Sequence, residues 1–515
     1  MNNKKQKNPL ILGTLLLTGS GIIARIAGFF YRIFLSHKIS TEAMGLYQLV
    51  YPVYSICFSL CCGSMQTAIS RFVAAEYQKK EEGASRRYLA CGLLLALSLA
   101  MTAAFGIYRF APFLARLVLL EPRSENLLKI LAFSVPLSAV HSCICGYYYG
   151  ISKAQIPAAA QLAEQFVRIF TVITVIHIAE ASGKPLTAVY AVLGHLAGEA
   201  GALFTSLLSF SMRSSRQAYR RSSSAAKGAR SRHSPQPTNR ALLQGLLFLA
   251  LPLMGNRLII SLLQSAEAIM IPGCLRSYGL SASDALSVYG VLTGMALPFI
   301  LFPTAITGSL AVMLLPHIAA AQSANAYDRI HYSAGISIRC SLYIGILFAG
   351  IFLRFGPTLG PVIFHNAEAG SFLTVLAWLC PFLYVAGTAA SIINGLGYTK
   401  NTFLHSAVSL FVRLLFVVLF VPVMGIRAYL CGLLISELIL TFCHLVFLYK
   451  KTGFFLSPVY ELLRPAAAVI LSIGISAAWD ALPIHDGIPD LPDLCVSGFF
   501  FVLSYLFFLF VTRKE

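Results

Sequence analysis

Residues Gly19–Leu35 read GSGIIARIAGFFYRIFL, an apolar run interrupted by Arg25 and Arg32. The run reaches back to about residue 9, long enough for a helix to cross the hydrocarbon core of a bilayer. Thr14, Thr18, Gly21, Arg25, Gly28 and Arg32 recur at alternating spacings of four and three, which puts them on one helical stripe. The two guanidinium groups are about 10 Å apart along that stripe, beside small residues that leave room for another molecule. An arginine at the bilayer centre costs about 3 kcal/mol on insertion scales, so two on one stripe need a reason. A guanidinium offers a planar fork of donors that fits phosphate oxygens, and it keeps its charge when buried. The stripe therefore points to an anionic, phosphorylated ligand. Two structural alternatives stand beside that reading. Arg32 can snorkel to the outer interface, and Arg25 can bridge to a glutamate on another span.

The rest of the chain has the same character. Its 515 residues are 57% hydrophobic and only 11% charged, with a mean hydropathy of +0.75. Soluble domains carry roughly a quarter charged residues. The pattern predicts an all-α polytopic membrane protein with fourteen spans near 9–35, 43–72, 87–109, 127–150, 157–178, 186–212, 241–272, 285–318, 331–353, 371–396, 401–421, 427–449, 464–480 and 494–512. The basic start MNNKKQKNPL resembles the flank of a signal peptide, but no small-residue cleavage site follows a short apolar core. An uncleaved first span is expected.

The net charge of +19 follows topology. With a cytoplasmic N-terminus, the inner segments hold 23 Lys and Arg and the outer loops 7. The last outer loop, DALPIHDGIPDLPD, has four Asp and no Lys or Arg. This bias predicts both termini on the cytoplasmic side of the membrane. Nucleic acid is not an expected partner. Segment 213–240, RSSRQAYRRSSSAAKGARSRHSPQPTNR, is rich in Ser, Arg and Pro and cannot build a core. It is expected to be a flexible basic linker lying on anionic lipid headgroups.

The two sides of that linker echo each other. GSMQTAISRFVAAEY from Gly63 matches GSLAVMLLPHIAAAQ from Gly308, and YRFAPFLARLVL from Tyr108 matches LRFGPTLGPVIF from Leu353. Phe166–Arg168 and Phe411–Arg413 both read FVR. All three pairs share an offset of 245 residues, which aligns Arg109 with Arg354 and Arg168 with Arg413. Two parallel six-span repeats are expected, an N-lobe over 1–212 and a C-lobe over 241–450, with a further helix pair over 451–515. In transporters, substrate sites lie between repeats of this kind.

The other candidate cavity residues are Arg257, Arg339 and Arg413, with Glu267 and Gln264 in NRLIISLLQSAEAIMIPG. Glu164 and Arg168 are spaced for an intrahelical pair. Pro298, Pro303 and Pro316 punctuate the eighth span, where a kink or hinge is expected. The cysteines lie mostly in apolar runs, and no His/Cys cluster has metal-ligand spacing. No metal or cofactor is expected. The sequence has no Walker loop, HExxH or GxSxG, and no segment outside the membrane could house a soluble catalytic domain. A non-enzymatic transporter is the favoured class. A cation-coupled multidrug exporter would want the intramembrane glutamates instead. A membrane-embedded glycosyltransferase would want a catalytic acidic pair, and an assembly scaffold would want neither.

The blocks GTLLLTGSGIIARIAGFFYRIFLSHKISTEAMGLYQLVYPVY, AISRFVAAEY and YGVLTGMALPFILFPTAITGSLAVMLLPHIA resemble the stage V sporulation protein B-like polysaccharide-biosynthesis flippases. These belong to the multidrug/oligosaccharidyl-lipid/polysaccharide (MOP) exporter superfamily. The resemblance implies two six-helix lobes around a central cavity plus a C-terminal helix pair. It also implies movement of undecaprenyl-pyrophosphate-linked sugars, as wall, spore-cortex or other polysaccharide precursors, from inner to outer leaflet. The lipid-linked oligosaccharide would be the principal partner, with cell-wall synthesis enzymes as further candidates.

Overall fold

The computed structural model describes residues 9–79, 82–225, 238–324, 326–454, 457, 459–481 and 490–512. Among the described residues every regular element is a helix. In hydrocarbon, backbone groups must be satisfied within their own segment, and helices do this. Fourteen helices are long and apolar enough to cross a membrane. They are α1 (Pro9–Lys38), α2 (Thr41–Gln78), α3 (Gly83–Val118), α4 (Ser124–Gly150), α5 (Gln155–Ala181), α6 (Ala188–Ala225) and α7 (Asn239–Ser277). Then come α8 (Ala282–Leu301), α9 (Tyr327–Phe364), α10 (Ala367–Gly395), α11 (Thr399–Leu419), α12 (Ile426–Thr452), α13 (Tyr460–Asp480) and α14 (Asp490–Val511). Large side chains such as Phe105, Phe170, Phe248 and Phe510 are exposed on their surfaces, as a hydrocarbon solvent favours. The chain is a multi-pass membrane protein.

Each expected span has its helix, with two differences in detail. The eighth span was expected over 285–318 with a kink or hinge at its prolines, but α8 ends at Leu301 and a separate helix, Thr304–Ser323, follows. Pro303 stands at that turn and has no N–H to continue the ladder. The expected flexible linker from 213 instead begins as helix, because α6 continues to Ala225. Residues 226–237 of that segment lie outside the described residues.

The chain forms two compact units. The first takes residues up to Tyr31 together with Leu46–Ile269, and the second takes Arg32–Gly45 with Met270 onward. The division thus cuts through α1, α2 and α7 and does not fall at the basic segment. Polar bonds follow the same division. In the first unit, Ser261 and Ser265 of α7 reach Ser55 Oγ and Pro52 O of α2, at 3.3 and 3.1 Å. In the second, His37 at the end of α1 lies 2.7 Å from Ile363 O of α9 and stacks on His365, with ring centroids 4.3 Å apart.

The second unit also contains a close backbone crossing. A Cβ on Gly45 would lie 2.0 Å from Leu286 O, and one on Gly290 would lie 2.2 Å from Thr41 O. Only residues without side chains let the start of α2 meet α8 at that distance.

Candidate functional site

The helix α1 has three faces. Ile23, Ile26 and Phe30 form its exposed apolar edge, with Phe30 62% exposed. Ser20 and Gly28 face α5, where Ser20 Oγ donates to Gln161 Oε1 at 3.5 Å. The Gln165 amide lies where a Gly28 side chain would be, 3.1 Å from an ideal Cβ. At 3.6 residues per turn, Arg25 is turned about 140° from both Ser20 and Phe30 and about 60° from Gly28, whose side of the shared stripe Gln165 fills. It sits on the third face, exposed, with no ion pair or hydrogen bond among the described residues.

Arg257 of α7 is another exposed guanidinium of this unit. It meets α2 where that helix widens into a π turn, Ser59–Gly63. Its Nη2 donates to Thr67 Oγ1 at 3.3 Å. Nη1 occupies the space of a Gly63 side chain, 2.1 Å from an ideal Cβ. No carboxylate pairs with it among the described residues. Gln264 is exposed on the same helix, whereas Glu267 is buried. On α5, Glu164 and Arg168 form the intrahelical pair that their spacing predicts.

The second unit holds its candidates differently. Arg32, half-buried, donates from Nη1 to Thr293 O at 3.3 Å. Thr293 lies in the π turn Val291–Ala296 of α8, so each unit brings an arginine to a π turn. Such turns leave carbonyls off the regular ladder and recur at functional sites. Arg339 of α9 donates through Nε to Glu461 at the start of α13. Glu461 is buried and also accepts from Ser457 N–H at 2.6 Å. Arg413 of α11 is half-buried. The structure therefore brings Arg25, Arg257 and Gln264 into one unit as exposed polar groups, and commits Arg339 to a carboxylate.

Some groups escaped the sequence reading. Glu461 and Asp480, which meets Arg354, come from α13, outside the repeats. Tyr54, Ser138 and His195 gather around Glu199 inside the first unit. Only the His195–Glu199 spacing of one helical turn was visible in the sequence.

Residues 10–319 match the family described as polysaccharide biosynthesis protein. Stage V sporulation protein B of Bacillus subtilis (strain 168) is 26% identical over 442 residues, covering 85% of this chain and 83% of its own. Among solved structures, the lipid II flippase MurJ in an inward closed conformation superposes with a TM-score of 0.71 at 13% identity. That match covers 96% of this chain and 98% of MurJ. An inward-facing multidrug resistance MATE family transporter of the MOP superfamily gives a TM-score of 0.62 at 12% identity, over 84% of this chain and 98% of its own.

Proposed function

Since the chain belongs to the polysaccharide biosynthesis protein family, we propose that it is a flippase carrying lipid-linked saccharides, held by a pyrophosphate, across the membrane. The observation that carries this reading is Arg25: a guanidinium within a membrane-spanning helix, exposed, off the apolar edge of α1 and without a carboxylate partner. A charge so placed is expensive unless an anion completes it. Arg257, also exposed without a counter-charge, supplies a second fork of donors. Gln264 offers the neutral donor and acceptor that sugar hydroxyls use. Arg32 and Arg413 are reserve positions for the second unit, and Glu267 tunes the local charge.

A diphosphate carries two or more negative charges, and bidentate arginine contacts match its oxygens. The polyprenyl chain needs no polar partner and remains in lipid. Undecaprenyl-pyrophosphate-linked sugars fit this chemistry, as wall, spore-cortex or other polysaccharide precursors. The names of its relatives, a sporulation protein and a lipid II flippase, agree with that class. The excess of basic residues on one side supports cytoplasmic termini in a plasma membrane, with anionic headgroups beside the basic segment.

The test is a leaflet-access assay in proteoliposomes with a fluorescent undecaprenyl-pyrophosphate disaccharide. Wild-type protein is expected to expose the lipid in the opposite leaflet. Arg25→Ala should slow this at least ~10-fold, the equivalent of losing one charged hydrogen bond of about 1.5–3 kcal/mol, with unchanged thermal stability. Unaltered flipping by Arg25→Ala would remove Arg25 from the site. Transport of cationic dyes but not of the lipid would favour a multidrug exporter.

A further inference from the structure

The first unit contains a buried ionisable cluster that pyrophosphate binding does not use. Glu199 of α6 is 5% exposed. Its Oε1 accepts from Tyr54 O–H of α2 at 2.7 Å, and Ser138 Oγ of α4 lies 2.7 Å from the same Tyr54 oxygen. One turn earlier on α6, His195 is 2% exposed, with Nε2 at 4.0 Å from Glu199 Oε1. Tyr54 packs edge-on against the imidazole at 4.7 Å and Tyr51 at 5.8 Å. Neither ring nitrogen of His195 has a hydrogen-bond partner among the described residues.

That arrangement is costly as it stands. A neutral imidazole keeps one N–H, and an unsatisfied buried donor costs about 1–3 kcal/mol. A buried carboxylate without a cation costs more. The nearby guanidinium does not relieve it, because Arg168 is bonded to Glu164. His195 and Glu199 stop about 1 Å short of hydrogen-bond length. One added proton removes the uncompensated charge by making a neutral pair, and it lets Nε2 hydrogen-bond to Glu199 Oε1, while Nδ1 keeps no partner among the described residues.

We propose that Glu199 and His195 form a reversible proton-binding site that couples transport to the proton gradient. This rests on the transporter reading above. The unloaded pair carries one negative charge. Uptake of one proton from water forms an N–H or carboxyl O–H bond and brings the pair to zero; release returns the proton to water and restores the charge. The ionisable groups facing Glu199 are Tyr51, Tyr54 and Cys62 on α2, Glu164 and Arg168 on α5, and His195 on α6 itself. On α4, Ser138 faces it, while His141 is bonded to Ser206. A hard metal cation would want six or more oxygens. Here a carboxylate, two hydroxyls and an imidazole converge, which is a proton's environment.

A packed route joins this site to Arg25. Gly198, beside Glu199, presses on α5, where an ideal Cβ would lie 2.9 Å from Glu164 O and 3.1 Å from the Arg168 side chain. One turn earlier on α5, Gln161 and Gln165 meet Ser20 and Gly28 of α1. A charge change at Glu199 that shifts α6 against α5 therefore acts on the helix that carries Arg25.

Two measurements test this. Infrared difference spectra of the full-length protein in nanodiscs, between pH 5 and pH 9, need no transport. Wild type should show a carboxyl or imidazole protonation band that Glu199→Gln and His195→Asn each remove, while Tyr54→Phe shifts its midpoint. In proteoliposomes with the fluorescent undecaprenyl-pyrophosphate disaccharide, a one-unit pH gradient should change the wild-type flipping rate up to ~10-fold. Glu199→Gln should lose that response. Absence of a titration dependent on Glu199 and His195, in variants of native thermal stability, overturns the site. Flipping that ignores the pH gradient, or follows Na⁺ instead, overturns the coupling and leaves the flippase reading intact. A normal titration in a protein that moves no saccharide lipid overturns only the flippase reading.

Discussion

In the first unit Arg25, Arg109 and Arg257 have no carboxylate partner among the described residues. In the second, Arg339 and Arg354 bond to Glu461 and Asp480. Arg109 and Arg354 are equivalent at the 245-residue offset, so the same position is open in one half and neutralised in the other. Both neutralising carboxylates come from α13, the helix added after the repeats. Ser497 of α14 also donates to Asp480 at 2.6 Å, and Tyr505 O–H donates to Tyr343 O of α9 at 2.9 Å. The C-terminal pair thus converts arginines of α9 into structural ties. In the first unit Arg123 and Arg168 pair with Glu121 and Glu164, while Arg25, Arg109 and Arg257 have no carboxylate partner among the described residues. Arg109 and Arg354 hold equivalent positions, and α13 supplies a carboxylate to only one of them.

The contrast can be broken most severely at the backbone crossing of the second unit. Gly290→Ala places a methyl group 2.2 Å from Thr41 O, which no rotamer can relieve. It should cost about 3 kcal/mol, the upper range for overpacking, and reduce the yield of monodisperse protein in size-exclusion profiles. Arg339→Ala is expected next. It leaves the buried Glu461 carboxylate held by the Ser457 N–H without its guanidinium partner, a loss of about 1–3 kcal/mol. Thermal unfolding in detergent should register that loss while flipping persists. This is the reverse of Arg25→Ala, and a loss of flipping at unchanged stability would instead make Arg339 a ligand group. The smallest effect belongs to the repeat-related pair. Arg354→Ala should lower stability by about 1 kcal/mol, as for a partly exposed ion pair, whereas Arg109→Ala should stay within about 0.5 kcal/mol. Equal shifts would show that α13 contributes nothing to the distinction.

Much of the fold was legible because each span announces itself locally. About 20 apolar residues suffice to cross a bilayer, and the periodicity of α1 already placed Arg25 and Arg32 on one stripe. The Glu164–Arg168 pair was legible for the same reason, since one helical turn fixes both ends. The break after Leu301 was only half legible. Three prolines marked the eighth span, but sequence could not tell a kink from two helices. Glu461 was hidden, because it stands 122 residues from Arg339 and at the edge of its span. The Tyr54–Glu199 bond joins residues 145 apart, and nothing in either local sequence announces the other.

Sequence alone determined that this chain lives in a membrane, how many times it crosses, and where its intramembrane charges fall. Those properties depend on composition and on the fixed rise and turn of a helix, which are short-range. Only the tertiary structure decided which charges are cancelled. Arg25 stands open, Arg339 is tied to Glu461, and Glu199 is shut in with His195. Neutralisation requires a partner within about 4 Å, and residues far apart in the chain come that close only when helices pack.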